Sequence, residues 1–232
     1  FDHCGAAAYL LRKIPTIRIA ASRRAADILR RPNAVELICK LNAEYEQSMQ
    51  TVLQGEDVRF AALDVALPLR PGDCITAQGK SCCTVIETPG HTRDSLSYLL
   101  LDTGMLVIGD AAGASEGCFV HSPFLTSYED YIASIEKLQA LRPEALCVAH
   151  NGILAGSEVQ RYLSAAHTAA IEYKDMIVRY LEVFHGDRER VVQKITVEEY
   201  DAQPEHIQKR QPFILNLTAK VNAVAQMLEG KT

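Results

Sequence analysis

The sequence predicts a mixed α/β fold with a layered sheet, followed by a helical stretch at the C-terminal end. Three observations predict it. Short runs rich in Val, Leu, Ile and Cys recur between about residues 60 and 149, separated by turn signals. One helical pattern, Tyr128 to Leu141, falls between two of those runs. From Ser157 onward the apolar residues recur at helical spacing. The spacing places a first domain over residues 1–156 and a helical appendage over 157–232.

The elements follow in order. Gly5 to Lys13 is Ala/Leu-rich and reads as a helix, and Ile17 to Ala20 is a short β-branched run. Ser22 is placed to cap a helix reaching about Arg31. After Pro32-Asn33, Val35, Ile38, Leu41, Tyr45 and Met49 form a helical stripe that reads as a core face. Phe60 to Leu69, Ser81 to Thr88, Ser95 to Leu101, Met105 to Ile108 and Ala145 to Ala149 read as strands. Turn signals separate them at Pro71-Gly72-Asp73, Gln78-Gly79 and Asp102-Thr103-Gly104. Ser157 to Phe184 is a long helix broken near His185-Gly186-Asp187. Arg188 to Ile195 and Val197 to Tyr200 are short helical pieces, and Gln203-Pro204 is a breaker. Glu205 to Glu229 is the last helix, with Ile207, Phe213, Ile214, Leu217, Val221, Val224 and Leu228 as its stripe.

The 232 residues are 48% hydrophobic and 23% charged, which excludes a disordered or collagen-like chain. The net charge of -5 and the lack of a basic stripe argue against nucleic acid as a partner. No apolar run approaches a membrane span. The seven cysteines, Cys4, Cys39, Cys74, Cys82, Cys83, Cys118 and Cys147, are odd in number and irregular in spacing. They suggest small core residues in a reducing, cytoplasmic setting.

Four features fall at strand ends or loop starts: Asp2-His3, Thr88-Pro89-Gly90-His91-Thr92, Gly109-Asp110 and Ala149-His150-Asn151-Gly152. Imidazole nitrogens and carboxylate oxygens suit zinc, iron or manganese. Each signal alone reads equally well as a turn or a hydrogen-bonded histidine. Together they form an ordered series at the positions where α/β folds display functional groups. His121, in Cys118-Phe119-Val120-His121-Ser122-Pro123-Phe124, reads as a loop residue or a hydrogen-bonding neighbour of the site. His167, His185 and His206 read as surface or packing residues, and Tyr128, Tyr131 and Tyr173 as core or rim.

The order Asp-His, Thr-Pro-Gly-His-Thr, Gly-Asp and His-Asn-Gly resembles the metallo-β-lactamase-fold hydrolases. The opening Phe1-Asp2-His3-Cys4-Gly5 is similar to the second half of their His-x-His-x-Asp-His motif. The strand-to-helix run at Ile19-Ala20-Ala21-Ser22 and the helix Tyr128 to Leu141 also resemble that family. The layout looks most like the glyoxalase II-like and quinolone-response-protein-like branches. The resemblance covers roughly residues 1 to 152. It implies a four-layer αββα sandwich whose first strands, with the two histidines of His-x-His, would precede Phe1.

Carried over by residue, the resemblance makes Asp2, His3 and His150 ligands of one metal ion and His91 a ligand of a second. Asp110 would bridge both, and Asp2 would also serve catalysis by orienting the attacking water. It implies two divalent ions, zinc first and iron or manganese otherwise, with a bridging hydroxide as nucleophile. The implied activity is hydrolysis of a small ester, thioester or lactone. The alternative is a degenerate member acting as a binding or regulatory module. Phosphodiester hydrolysis is a weaker third reading. The expected partner is a small-molecule substrate, without nucleic acid or membrane, and a homodimer through the last helix is a further expectation.

Overall fold

The structure is a computed structural model that describes residues 2–77, 80–116, 119–150, 152–203 and 209–230. Phe1, the Gln78-Gly79 turn, Cys118, Asn151, the Pro204 breaker, His206 and Ile207 lie outside the described residues. The chain divides into two compact units, Phe1–Asp73 and Cys74–Thr232.

The first unit holds α1 (Ala7–Lys13), β1 (Ile19–Ser22), α2 (Arg23–Leu29), α3 (Pro32–Ser48), α4 (Gln50–Leu53) and β2 (Val65–Leu69). Ser22 caps α2 as its sequence position predicts, its hydroxyl accepting from the Ala25 amide at 3.1 Å. β1 and β2 pair in parallel. Ala8, Phe60 and Leu63 form the unit's core, and Cys4, Leu11, Leu29, Val35 and Ile38 pack against them. Two expectations are corrected here. The strand predicted from Phe60 begins only at Val65, because Phe60 and Leu63 lie three apart and both point inward, which a strand's alternation forbids. The α3 stripe is a core face at Val35 and Ile38 only; Tyr45 is 67% exposed and Met49 40%.

The second unit is built on a six-stranded sheet. Its strands are β3 (Cys74–Ala77), β4 (Lys80–Glu87), β5 (Leu96–Leu100), β6 (Met105–Gly109), β9 (Ala145–Val148) and β10 (Gly152–Ala155), in the spatial order β10-β9-β6-β5-β4-β3. A separate two-stranded ribbon is formed by β7 (Ala114–Glu116) and β8 (Phe119–His121). β3, β10 and the ribbon had no clear counterpart in the pattern, since each is only three or four residues long. β4 pairs antiparallel with β5, β5 antiparallel with β6, and β6 parallel with β9. So β4, β6 and β9 run in one direction, and their C-terminal ends emerge along one edge of the sheet. His91, Asp110 and His150 each follow one of those ends.

The helices are α5 (Tyr128–Ala140), α6 (Ser157–Val183), α7 (Arg188–Ile195), a π-helical turn (Thr196–Asp201) and α8 (Arg210–Glu229). Ser127 caps α5 by accepting from the Asp130 amide at 3.1 Å, and Glu129 and Asp130 complement the helix dipole. Inward residues of the sheet, Leu106, Ile108, Leu146 and Val148, meet Tyr131, Ile135 and Leu138 of α5. The same continuous core takes in Leu163, Ala166 and Ile177 of α6 and Leu217, Val221 and Val224 of α8. The C-terminal helices therefore share the core of the sheet. Tyr173 of α6 donates to Glu199 Oε2 at 2.8 Å, and Lys220 Nζ of α8 lies 4.3 Å from the Tyr173 ring centre. Burial pushes the Lys220 amine down to about 8, against the opposing pull of Glu199.

The cysteines follow the expected core role in part, with Cys4 and Cys39 packed against the first unit's core. Cys83 is buried, Cys74 is exposed, and Cys4, Cys39, Cys82 and Cys147 are intermediate. No helix among the described residues is long and apolar enough to cross a membrane.

Candidate metal centre

The loop after β4 is held by its own backbone. Thr88 is fully buried, and its hydroxyl pairs with that of Ser97 at 2.9 Å. The Ser134 hydroxyl of α5 donates to the Pro89 carbonyl at 2.8 Å. The Gly90 carbonyl accepts from the amides of Leu125 and Thr126 at 3.1 and 3.0 Å, and from the Thr126 hydroxyl at 3.1 Å. Gly90 has φ +127°, and a Cβ there would lie 2.4 Å from Tyr131 Cα. Only glycine lets the loop sit this close to α5.

That loop delivers His91, whose Nδ1 lies 2.5 Å from the Pro123 carbonyl oxygen. A carbonyl only accepts, so Nδ1 carries the proton. A neutral ring then turns its Nε2 lone pair toward Asp110 Oδ2, 3.2 Å away. Two acceptors do not face each other at that distance unless a proton or a cation lies on the line between them. Asp110 follows Gly109, which ends β6 at φ +54°. Its side chain is only 13% exposed, and its other oxygen, Oδ1, lies 3.6 Å from His150 Nε2. His150 has φ +66°, uncommon for a residue with a Cβ. The Ala149 amide donates to the Gly109 carbonyl at 3.3 Å and ties the two loops together.

One carboxylate thus offers a separate oxygen to each of two imidazoles. Asp110 contributes negative charge, the histidines contribute neutral nitrogen donors, and a backbone carbonyl orients one ring. That donor set fits a divalent transition-metal ion, with the Pro123 carbonyl as the kind of outer partner that fixes a ligand's tautomer.

Of the five residues read from the sequence as ligands, the second unit brings together His91, Asp110 and His150. Asp2 and His3 belong to the first unit, in the turns ahead of α1, with His3 Nε2 4.0 Å from Asp2 Oδ1 and both side chains 46% exposed. His121 is exposed at the end of β8. His167 Nε2 lies 3.4 Å from Glu136 Oε1, and His185 closes α6 at φ +54°.

Sequence reasoning missed four residues around the site. The Pro123 carbonyl carries no side-chain signal. Gly90 read as a plain turn residue. Tyr131 read as core or rim packing, and Tyr162 was not singled out, although both phenols feel the charge of Asp110.

A sheet with His/Asp/His at the aligned ends of three of its strands defines a metal-dependent hydrolase-type fold. Residues 1–150 match the family model of the metallo-β-lactamase superfamily, and the chain belongs to that superfamily. Solved structures agree on the fold. A metallo-β-lactamase family protein from Thermus thermophilus matches at 18% identity and a TM-score of 0.58, over 92% of this chain and 67% of its own. An archaeal metallo-β-lactamase superfamily protein from Sulfolobus tokodaii matches at 18% identity and a TM-score of 0.52, over 95% of this chain and 74% of its own.

Proposed function

We propose that this chain is a metal-dependent hydrolase of a small ester, thioester or lactone, in the manner of the glyoxalase II-like branch. His91, Asp110 and His150 would hold divalent metal, zinc in the first place, and the family pattern would add Asp2 and His3 as ligands of a two-ion site. The observation that carries the reading is the Asp110 carboxylate set between two imidazole Nε2 atoms at 3.2 and 3.6 Å. When bound, such ions supply Lewis acidity and make water a nucleophile near neutral pH.

The residues do the rest. Asp110 presents one oxygen to each side of the site. The Pro123 carbonyl fixes the His91 ring so that its Nε2 lone pair faces inward. The histidines must be neutral to ligate, so protons compete with metal as the pH falls. Asp2, the remaining carboxylate of the family pattern, would serve as an acceptor that orients water.

Purified protein should hydrolyse at least one of p-nitrophenyl acetate, an acyl thioester and an acyl lactone. A chelator should abolish that activity, and added zinc, manganese or iron should restore it. His91→Ala should lower it by more than about 100-fold, since loss of even an outer partner costs roughly 10–100-fold. Metal binding without turnover of any of the three would contradict the hydrolase reading and point to a metal-holding binding module.

A further inference from the structure

Tyr131 lies between two of the ligand loops. A Cβ on Gly90, one residue before His91, would lie 2.4 Å from Tyr131 Cα. A Cβ on Gly113, three residues after Asp110, would lie 3.7 Å from the Tyr131 hydroxyl. The Tyr131 ring also packs on Phe124, with ring centres 6.0 Å apart, and Phe124 follows the proline whose carbonyl holds His91. Tyr162 of α6 belongs to the same buried core as Tyr131. The two side chains are 0% and 8% exposed, and neither hydroxyl has a hydrogen-bond partner among the described residues. Burial and the nearby Asp110 charge both hold the phenols protonated, each raised above its ordinary value. A protonated phenol can donate, and buried polar groups that lack a protein partner are commonly satisfied by ordered water.

We propose that Tyr131 and Tyr162 are positioning residues whose hydroxyls donate to one shared buried water, which in turn donates to the Asp110 carboxylate and holds it between His91 and His150. The proposal rests on the metal-binding reading above. It extends that reading to what keeps the carboxylate in place. The chain of contacts is charge-assisted at its last link, the stronger kind of hydrogen bond. A carboxylate held from behind cannot swing to favour one imidazole over the other.

The test uses Tyr131→Phe, Tyr162→Phe and the double variant, which keep the rings and remove only hydroxyls. Cobalt(II) affinity is measured by chelator competition, the ligand-field absorption bands are recorded, and the melting temperature is taken without metal. Each single variant should bind cobalt about 10-fold more weakly, as outer-partner losses do. The bands should shift, and the metal-free melting temperature should hold or rise. The double variant should be no weaker than the worse single one, because one water is shared. Unchanged affinity and bands in both single variants would overturn the proposal, and so would a double variant that falls by the product of the two. Should Tyr131→Phe fail to fold, Tyr162→Phe decides alone. A wild-type protein that binds no cobalt would overturn the metal-binding reading as well.

Discussion

Asp110→Asn is expected to lower metal affinity by more than about 100-fold and to remove activity with it, since even outer-partner losses cost roughly 10–100-fold. The side chain keeps its size and stays 13% exposed between the two rings. It loses the charge that offsets a divalent ion. It also loses one of two equivalent acceptors, because the amide nitrogen donates and cannot ligate. Metal-free stability should change little. An asparagine oxygen can still meet one imidazole, and the sheet beneath is untouched. The signature is therefore a wild-type-like melting curve without metal, and no upward shift when metal is added. Equal metal-induced stabilisation of the variant and the wild type would show that Asp110 is not a ligand.

Gly90→Ala should be among the most destabilising single changes in the second unit. The added Cβ would lie 2.4 to 2.5 Å from Tyr131 Cα, Cβ and N, and two of those atoms are helix backbone. Either α5 moves or the loop does. Moving the loop breaks the bonds from Leu125 and Thr126 to the Gly90 carbonyl. Overpacking of this kind costs about 1–3 kcal/mol, and the left-handed φ of +127° adds about 1–3 kcal/mol more. Against a typical total of about 5–15 kcal/mol, that loss is large. Gly186→Ala is the control. Its φ is +83°, but nothing lies within 4 Å of the added Cβ, so only the backbone strain remains. Denaturant melts of the two variants should differ by about 1–3 kcal/mol, with Gly90→Ala the weaker. Similar midpoints would mean that the close approach of loop and helix is not the constraint.

Much of the fold was legible because it obeys simple periodicities. Ser22 caps a helix where its position predicts, and Arg188–Ile195 forms a helix with its predicted bounds. The strands that carry the ligands were found because they are short runs rich in Val, Leu, Ile and Cys between turn signals, as at Met105–Gly109. The misses have physical reasons. Phe60 and Leu63 are apolar because they fill a core from an irregular segment, which mimics a strand in composition. Tyr45 and Met49 continue the α3 stripe yet meet solvent, since spacing reports which residues share a face and not what covers it. The ligand residues His91, Asp110 and His150 were legible as types at strand ends. Their convergence required strand directions that no local pattern encodes. The Pro123 carbonyl and the two buried phenols were illegible for the same reason: they matter only through contacts made across the fold.

The central claim is that His91, Asp110 and His150 belong to a divalent-metal centre. Calorimetric titration of the chelator-treated full chain with zinc tests it most directly. The account predicts saturable uptake of about one to two equivalents per chain, with protons released as the ligands exchange them for metal. It also predicts that His91→Ala and Asp110→Asn each reduce that uptake sharply. Uptake that does not saturate, or that is the same in both variants as in the wild type, would contradict it.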